Sequence, residues 1–99
     1  MSYTLVKITK SNKQGKKMMA VFKNNKSGRE KTTHFGASGM DDYLKTKDKA
    51  QRDRYRARTK SVYNKSDPIS ASRLAGDILW GDSTSLNENI KSYKKKYNL

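Results

Sequence analysis

A chain of 99 residues with twenty-three Lys and Arg, nine Asp and Glu and no cysteine carries a formal net charge of +14. That length holds one domain, residues 1–99, and excludes two independent cores, while the missing thiols exclude disulfides and thiolate metal sites. A hydrophobic fraction of 32% implies a thin core, and no run approaches the roughly 20 apolar residues of a membrane-spanning helix.

Tyr3 to Lys10 alternates as a strand, with Val6 and Ile8 on one face and Leu5 on the other. Ser11-Asn12-Lys13-Gln14-Gly15 is a turn. Met18 to Phe22 reads as a second strand with Met18, Ala20 and Phe22 pointing the same way. After the turn signal Asn24-Asn25-Lys26-Ser27-Gly28, Thr32-Thr33-His34-Phe35 forms a third strand that Gly36 stops. Two tight connections in succession predict an antiparallel meander of three strands, and a sheet that small needs a cover over its apolar face.

Helices supply the cover. Ser38-Gly39-Met40-Asp41 has capping-box spacing and predicts a short helical turn carrying Tyr43 and Leu44. The stretch from Lys47 to Lys60 is rich in good helix formers, but only Ala50, Tyr55 and Ala57 are apolar, so this helix is mostly solvated. Asp67-Pro68 predicts the start of a third helix, along which Ala71, Leu74, Ala75, Ile78 and Leu79 form an apolar stripe. Trp80 anchors its end and Gly81 terminates it. Ser85-Leu86-Asn87-Glu88 is a full capping box, after which Leu86, Ile90, Tyr93 and Tyr97 run down one face. The expected fold is α+β: a three-stranded antiparallel β-meander at the N-terminus followed by three to four short α-helices packed on it.

Charge is uneven along this plan. Residues 1–37 carry nine basic residues and one acid, and residues 38–66 carry nine and four; residues 67–99 are nearly balanced. On the predicted second helix Lys45, Lys49, Arg52 and Arg56 fall on one face if helicity begins early, and Arg54 and Arg58 form an adjoining pair. A row of guanidinium groups along a helix meets successive phosphate oxygens, and Arg does so bidentately. Lys16, Lys17, Lys26 and Arg29 gather at the two strand turns, where basic loops straddle a phosphate backbone. Solvation and protection of sheet edges are the plainer explanations of the same lysines. Lys94-Lys95-Lys96 complements the C-terminal end of the last helix dipole.

Nothing in the sequence points to catalysis. His34 is the single histidine, so a zinc site would rest on carboxylates. No nucleophile elbow accompanies it, and Gly15, Gly28, Gly36 and Gly39 read as turn residues, not as a phosphate cradle. No catalytic residue, metal, cofactor or small-molecule substrate is expected.

Thr33-His34-Phe35-Gly36, Lys47-Asp48-Lys49, Arg52, Tyr55, Arg58, Ile78-Leu79-Trp80 and the closing Tyr93-Lys94-Lys95-Lys96-Tyr97-Asn98-Leu99 together carry a resemblance. From Lys17 onward the chain resembles the small basic proteins encoded by nucleocytoplasmic large DNA viruses, among them chlorella viruses and relatives of mimivirus. It departs from that pattern at Thr59, where relatives often carry His, and at Tyr97, where Phe is more usual. The resemblance implies a viral gene product, associated with the virion and the interior of the host cell (cytoplasm or nucleus). Met1-Ser2-Tyr3-Thr4-Leu5 lacks the apolar run of a signal peptide, in keeping with that location.

The charge makes nucleic acid, DNA in this setting, the expected partner, bound without enzymatic action and without a base-reading motif. The alternative is a minor capsid or virion structural protein docking on acidic protein neighbours, with Leu86, Ile90, Tyr93 and Tyr97 lending part of an interface.

Overall fold

The computed structural model describes residues 3–99; Met1 and Ser2, part of the N-terminal stretch read for a signal peptide, lie outside the described residues. Strands β1 (Tyr3–Lys10), β2 (Lys16–Asn24) and β3 (Glu30–Ala37) form one antiparallel sheet in the order β1-β2-β3, the predicted meander. Both turns are held by side chains that bond the local backbone. Ser11 Oγ accepts from the Lys13 amide at 3.0 Å, and the Asn24 side-chain oxygen accepts from the Lys26 and Ser27 amides at 2.9 and 3.2 Å.

The sheet has one covered and one open face. Leu5, Ala20, Phe22 and Phe35 are buried and join Ile69, Leu74, Ile78, Leu79, Trp80 and Tyr93 in a single core cluster. Ile8 and Met18 pack at its margin. The predicted pairing of Val6 with Ile8 on one face does not hold. The β1–β2 register shifts between Leu5 and Lys7, so Leu5 pairs with Phe22 and Ile8 with Ala20, both on the core side. Val6 is the extra residue of that bulge and stays 49% exposed. On the other face, Lys7, Val21 and Thr32 make one cross-strand row, and Thr9, Met19 and His34 make the next. Val21 is buried, yet it lies outside the core cluster.

At the end of β3 the sheet is brought against the helices by Gly36. Its φ of +78° lies in the left-handed region, and a Cβ there would come within 2.6 Å of Leu79 Cδ1. Helix α1 (Tyr43–Thr46) follows. Ser38 does not cap it: the Asp42 carboxylate accepts from the Lys45 amide at 2.9 Å, because the turn at Gly39 sets the helix start four residues later than the capping-box spacing implies. Helix α2 (Lys49–Lys65) starts two residues later and ends five residues later than expected. Lys47 takes a left-handed φ of 58° as the C-cap of α1, and Asp48 then caps α2 through the Gln51 amide.

The third helix also begins later than Asp67-Pro68 predicts. Asp67 instead caps a turn, accepting from the Ile69 amide at 3.1 Å, and Ser70 is the N-cap of α3 (Ala71–Leu74). This turn drives Ile69 into the core, and its carbonyl accepts from Thr33 Oγ1 on β3 at 3.0 Å. Helix α3 continues as a π-helical stretch, Ala75–Leu79, closed by the Trp80 amide donating to the Ala75 carbonyl at 3.0 Å. Gly81 ends it as expected, since a Cβ there would collide with the Asp77 carbonyl oxygen and the Asn89 side chain. Helix α4 (Leu86–Tyr97) is capped by Ser85, and buried Asn89 on it donates to the Ile78 and Ser83 carbonyls at 2.9 and 2.7 Å. That one amide fastens α4 to the end of the π-helical stretch.

Candidate nucleic-acid interface

Helix α2 buries a single residue, Arg52, and two of its arginines are fasteners for the fold. Arg56 donates to the Trp80 carbonyl through Nε at 3.2 Å and Nη2 at 3.0 Å, and pairs with Asp82 at 2.9 Å. Arg52 reaches the Asp82 carbonyl at 3.4 Å, pairs with Asp53, and lies over the Tyr43 ring at 4.9 Å. Both guanidiniums therefore occupy carbonyls at the C-terminal end of the π-helical stretch, where unpaired oxygens and the helix dipole favour a cation. Tyr55 adds a stacked contact on Trp80, ring centroids 4.4 Å apart. The chain has no apolar stripe on α2 to bury, and these cations and aromatics replace one.

This divides the predicted basic row. Lys45 and Lys49 remain exposed, Lys45 in a loose pair with Asp41 at 3.6 Å. Arg54 and Arg58 are exposed on the outer side of α2, with Arg58 also 5.6 Å from the Tyr55 ring centroid. Arg52 and Arg56 do not join them as a continuous phosphate-facing row, because their hydrogen bonds turn inward.

The turn cations divide as well. Lys17 donates to the Asp42 carboxylate at 2.6 Å in a largely buried ion pair that ties β2 to the cap of α1. Lys16, Lys26 and Arg29 are exposed and project from the two structured turns, free of any ion pair among the described residues. Lys23, which belongs to the same basic cluster at the strand turns, and Lys7, which the sequence pattern does not single out, share that character on the open face of the sheet. The alternation that points Met18, Ala20 and Phe22 inward points Lys23 outward, while Lys7 is turned to the same face by the bulge after Leu5.

A cleft of about 590 Å³ lies between α2, the π-helical stretch and α4. Tyr63 donates its hydroxyl to Asp77, and Lys96 donates to the same Tyr63 oxygen at 2.8 Å. Lys96 thus serves the cleft wall while Lys94 and Lys95 stay exposed. Gly76 leaves room for the Tyr63 ring, whose atoms would stand 2.8–2.9 Å from a Cβ at that position. Tyr93, buried, donates to the Pro68 carbonyl at 2.6 Å. Burial first, then the negative charge of Asp77, pushes the Tyr93 phenol well above its ordinary 10.0; burial and the bond to Asp77 do the same for Tyr63.

The folded state therefore binds these phenolic protons more tightly than the unfolded chain does. Their contribution to stability is complete below pH 10.0 and is lost as pH rises above it. We expect phenolate absorbance from Tyr93 and Tyr63 to appear together with loss of circular dichroism in an alkaline titration. Ionisation of all the tyrosines near pH 10.0 with the fold intact would contradict the burial described.

His34 lies with Nδ1 2.7 Å from Ser11 Oγ, a contact that joins β3 to the first turn. No group of three or more His, Asp or Glu side chains is placed to hold a metal ion among the described residues. Among those residues, no helix is long and apolar enough to cross a membrane.

Residues 6–59, which run from within β1 through the rest of the sheet, α1 and the first two-thirds of α2, match a family described as a family of unknown function (DUF5754). The uncharacterized protein L851 of Acanthamoeba polyphaga mimivirus is 36% identical over 81 residues, covering 76% of this chain and 80% of the relative. No solved structure matches. The chain belongs to the DUF5754 family and is similar to this mimivirus protein.

Proposed function

We propose that this protein is a non-enzymatic, sequence-tolerant nucleic-acid-binding protein of a large DNA virus, associated with the viral genome or virion. The observation that carries the reading is the exposed charge of the sheet half. Residues 1–37 hold nine Lys and Arg against Glu30, and the ion pair on that segment consumes Lys17 alone among the described residues. Folding concentrates like charges there without compensation, and a polyanion relieves the repulsion. The mimivirus relative supports the viral setting, and chlorella-virus relatives belong to the same proposal. The capsid-docking alternative has less to support it: Tyr93 is buried, and Leu86, Ile90 and Tyr97 are partly buried against the protein's own core.

The test uses the outward cations. Arg52 and Arg56 are unsuitable, since their loss damages the fold. Replacing Lys16, Lys26, Arg29, Arg54 and Arg58 together by Gln is expected to weaken binding at least a hundredfold, equally for unrelated oligonucleotide sequences, while the melting temperature holds or rises. Unchanged affinity in this folded variant would refute the reading.

A further inference from the structure

We infer that the open face of the three-stranded sheet is the surface that enters the major groove of B-form duplex DNA. The inference rests on the nucleic-acid reading above and adds which face binds, which groove is entered and which nucleic acid fits.

The helices cover one face of the sheet, the one carrying Leu5, Ala20, Phe22 and Phe35. The opposite face exposes Lys7, Thr9, Lys23 and Thr32 around a centre at Val21, which is itself buried, and at one end Lys17 is held by Asp42. Around this centre the face is small and cationic, with Glu30 its one acid, at a corner beside Lys23. Protection against edge-to-edge pairing accounts for lysines on β1 and β3, the outer strands. It does not account for Lys23, which is exposed on the central strand, where no edge exists.

Dimensions favour a duplex. Three strands spaced about 4.8 Å apart place the outer strand axes about 10 Å apart, comparable with a major groove about 12 Å wide. Strands of eight or nine residues separate the two turns by about 26–30 Å at about 3.3 Å per residue. Lys13 and Lys16 at one end and Lys26 and Arg29 at the other then reach the phosphates flanking the groove. The deep, narrow major groove of A-form RNA does not admit such a ribbon.

The chemistry of the face agrees with tolerance of sequence. Thr9 and Thr32 offer hydroxyls that donate or accept at any base edge, and the methyl groups of Thr32 and Met19 suit the thymine methyl. The face presents no Arg, Asn or Gln for planar bidentate pairs with guanine or adenine, and its Lys7 and Lys23 act as point charges.

Methylation protection tests this without a variant. On a short duplex saturated with the intact protein at low salt, guanine N7 in the major groove is expected to be protected while adenine N3 in the minor groove stays reactive. Double-stranded RNA of the same sequence is expected to bind at least tenfold more weakly. Protection at adenine N3 in place of guanine N7, or equal affinity for the RNA duplex, overturns the groove assignment and leaves the nucleic-acid reading intact. A Lys7→Glu, Thr32→Glu double variant, both positions exposed and outside the core, is expected to weaken duplex binding at least tenfold with an unchanged melting profile. If Arg54→Glu with Arg58→Glu abolishes binding while the sheet variant retains it, the sheet is not the docking face. Absence of binding to any duplex or single strand at low salt removes the underlying reading together with this one.

Discussion

Replacing Phe22 by Ala is expected to cost about 3–5 kcal/mol of stability, as large aromatic truncations in close-packed cores do. Phe22 is fully buried on the central strand, with Leu5 of β1 as its register partner, and belongs to the cluster that joins sheet to helices. The strands on either side fix the backbone at this point, so the cavity cannot collapse. A domain of this size has on the order of 5–15 kcal/mol in total, and the self-repulsion of a +14 chain places this one toward the lower end. Urea denaturation at low ionic strength should show the variant largely unfolded before denaturant is added, or with a midpoint far below that of the parent. A loss under about 1 kcal/mol would mean that Phe22 is not the keystone of the core.

The second large effect is on binding. If about six phosphates are contacted, affinity for duplex DNA falls on the order of a thousandfold between about 50 and 200 mM salt, because each neutralised phosphate releases condensed counterions. The exposed, unpaired cations suffice for six contacts without Arg52, Arg56 or Lys17: Lys16, Lys26 and Arg29 at the turns and Lys7, Lys23 and Lys13 beside them. Measured by fluorescence anisotropy across that salt range, a log–log slope near −5 is the expected result. A flat response would show that phosphate neutralisation is not the source of affinity.

Much of the architecture was legible because it rests on local rules. The alternation of Met18, Ala20 and Phe22, the two Asn- and Gly-containing turns, and the Ser85 cap each specify their element with little help from elsewhere, although Ser83 and not Glu88 accepts from the Ser85 amide. What escaped reading depended on contacts distant in sequence. Val6 faces solvent because a bulge adds one residue to β1, and no local pattern marks a bulge. The third helix starts at Ala71 because Ile69 is drawn into the core and fixes the Asp67 turn ahead of it.

The candidate site shows the same division. Spacing placed Arg52 and Arg56 in a row with Lys49, which helical periodicity supports. Their role is decided by the carbonyls of Trp80 and Asp82, about thirty residues farther along the chain. The π-helical turn ends in oxygens that need donors, and a helix with no apolar stripe needs an anchor; the two arginines answer both needs. Arg54 and Arg58 have no such partner and remain on the outside, as periodicity alone suggests.

The most direct measurement is the melting temperature of the intact protein at low salt, with and without a short DNA duplex. At a duplex concentration about a hundred times the dissociation constant, binding to the folded state adds about 2.7 kcal/mol. For a domain of this size that raises the melting temperature by about 10–20 °C, and the gain should vanish at high salt. A melting temperature indifferent to duplex at every salt concentration would contradict the claim that this surface exists to meet a polyanion.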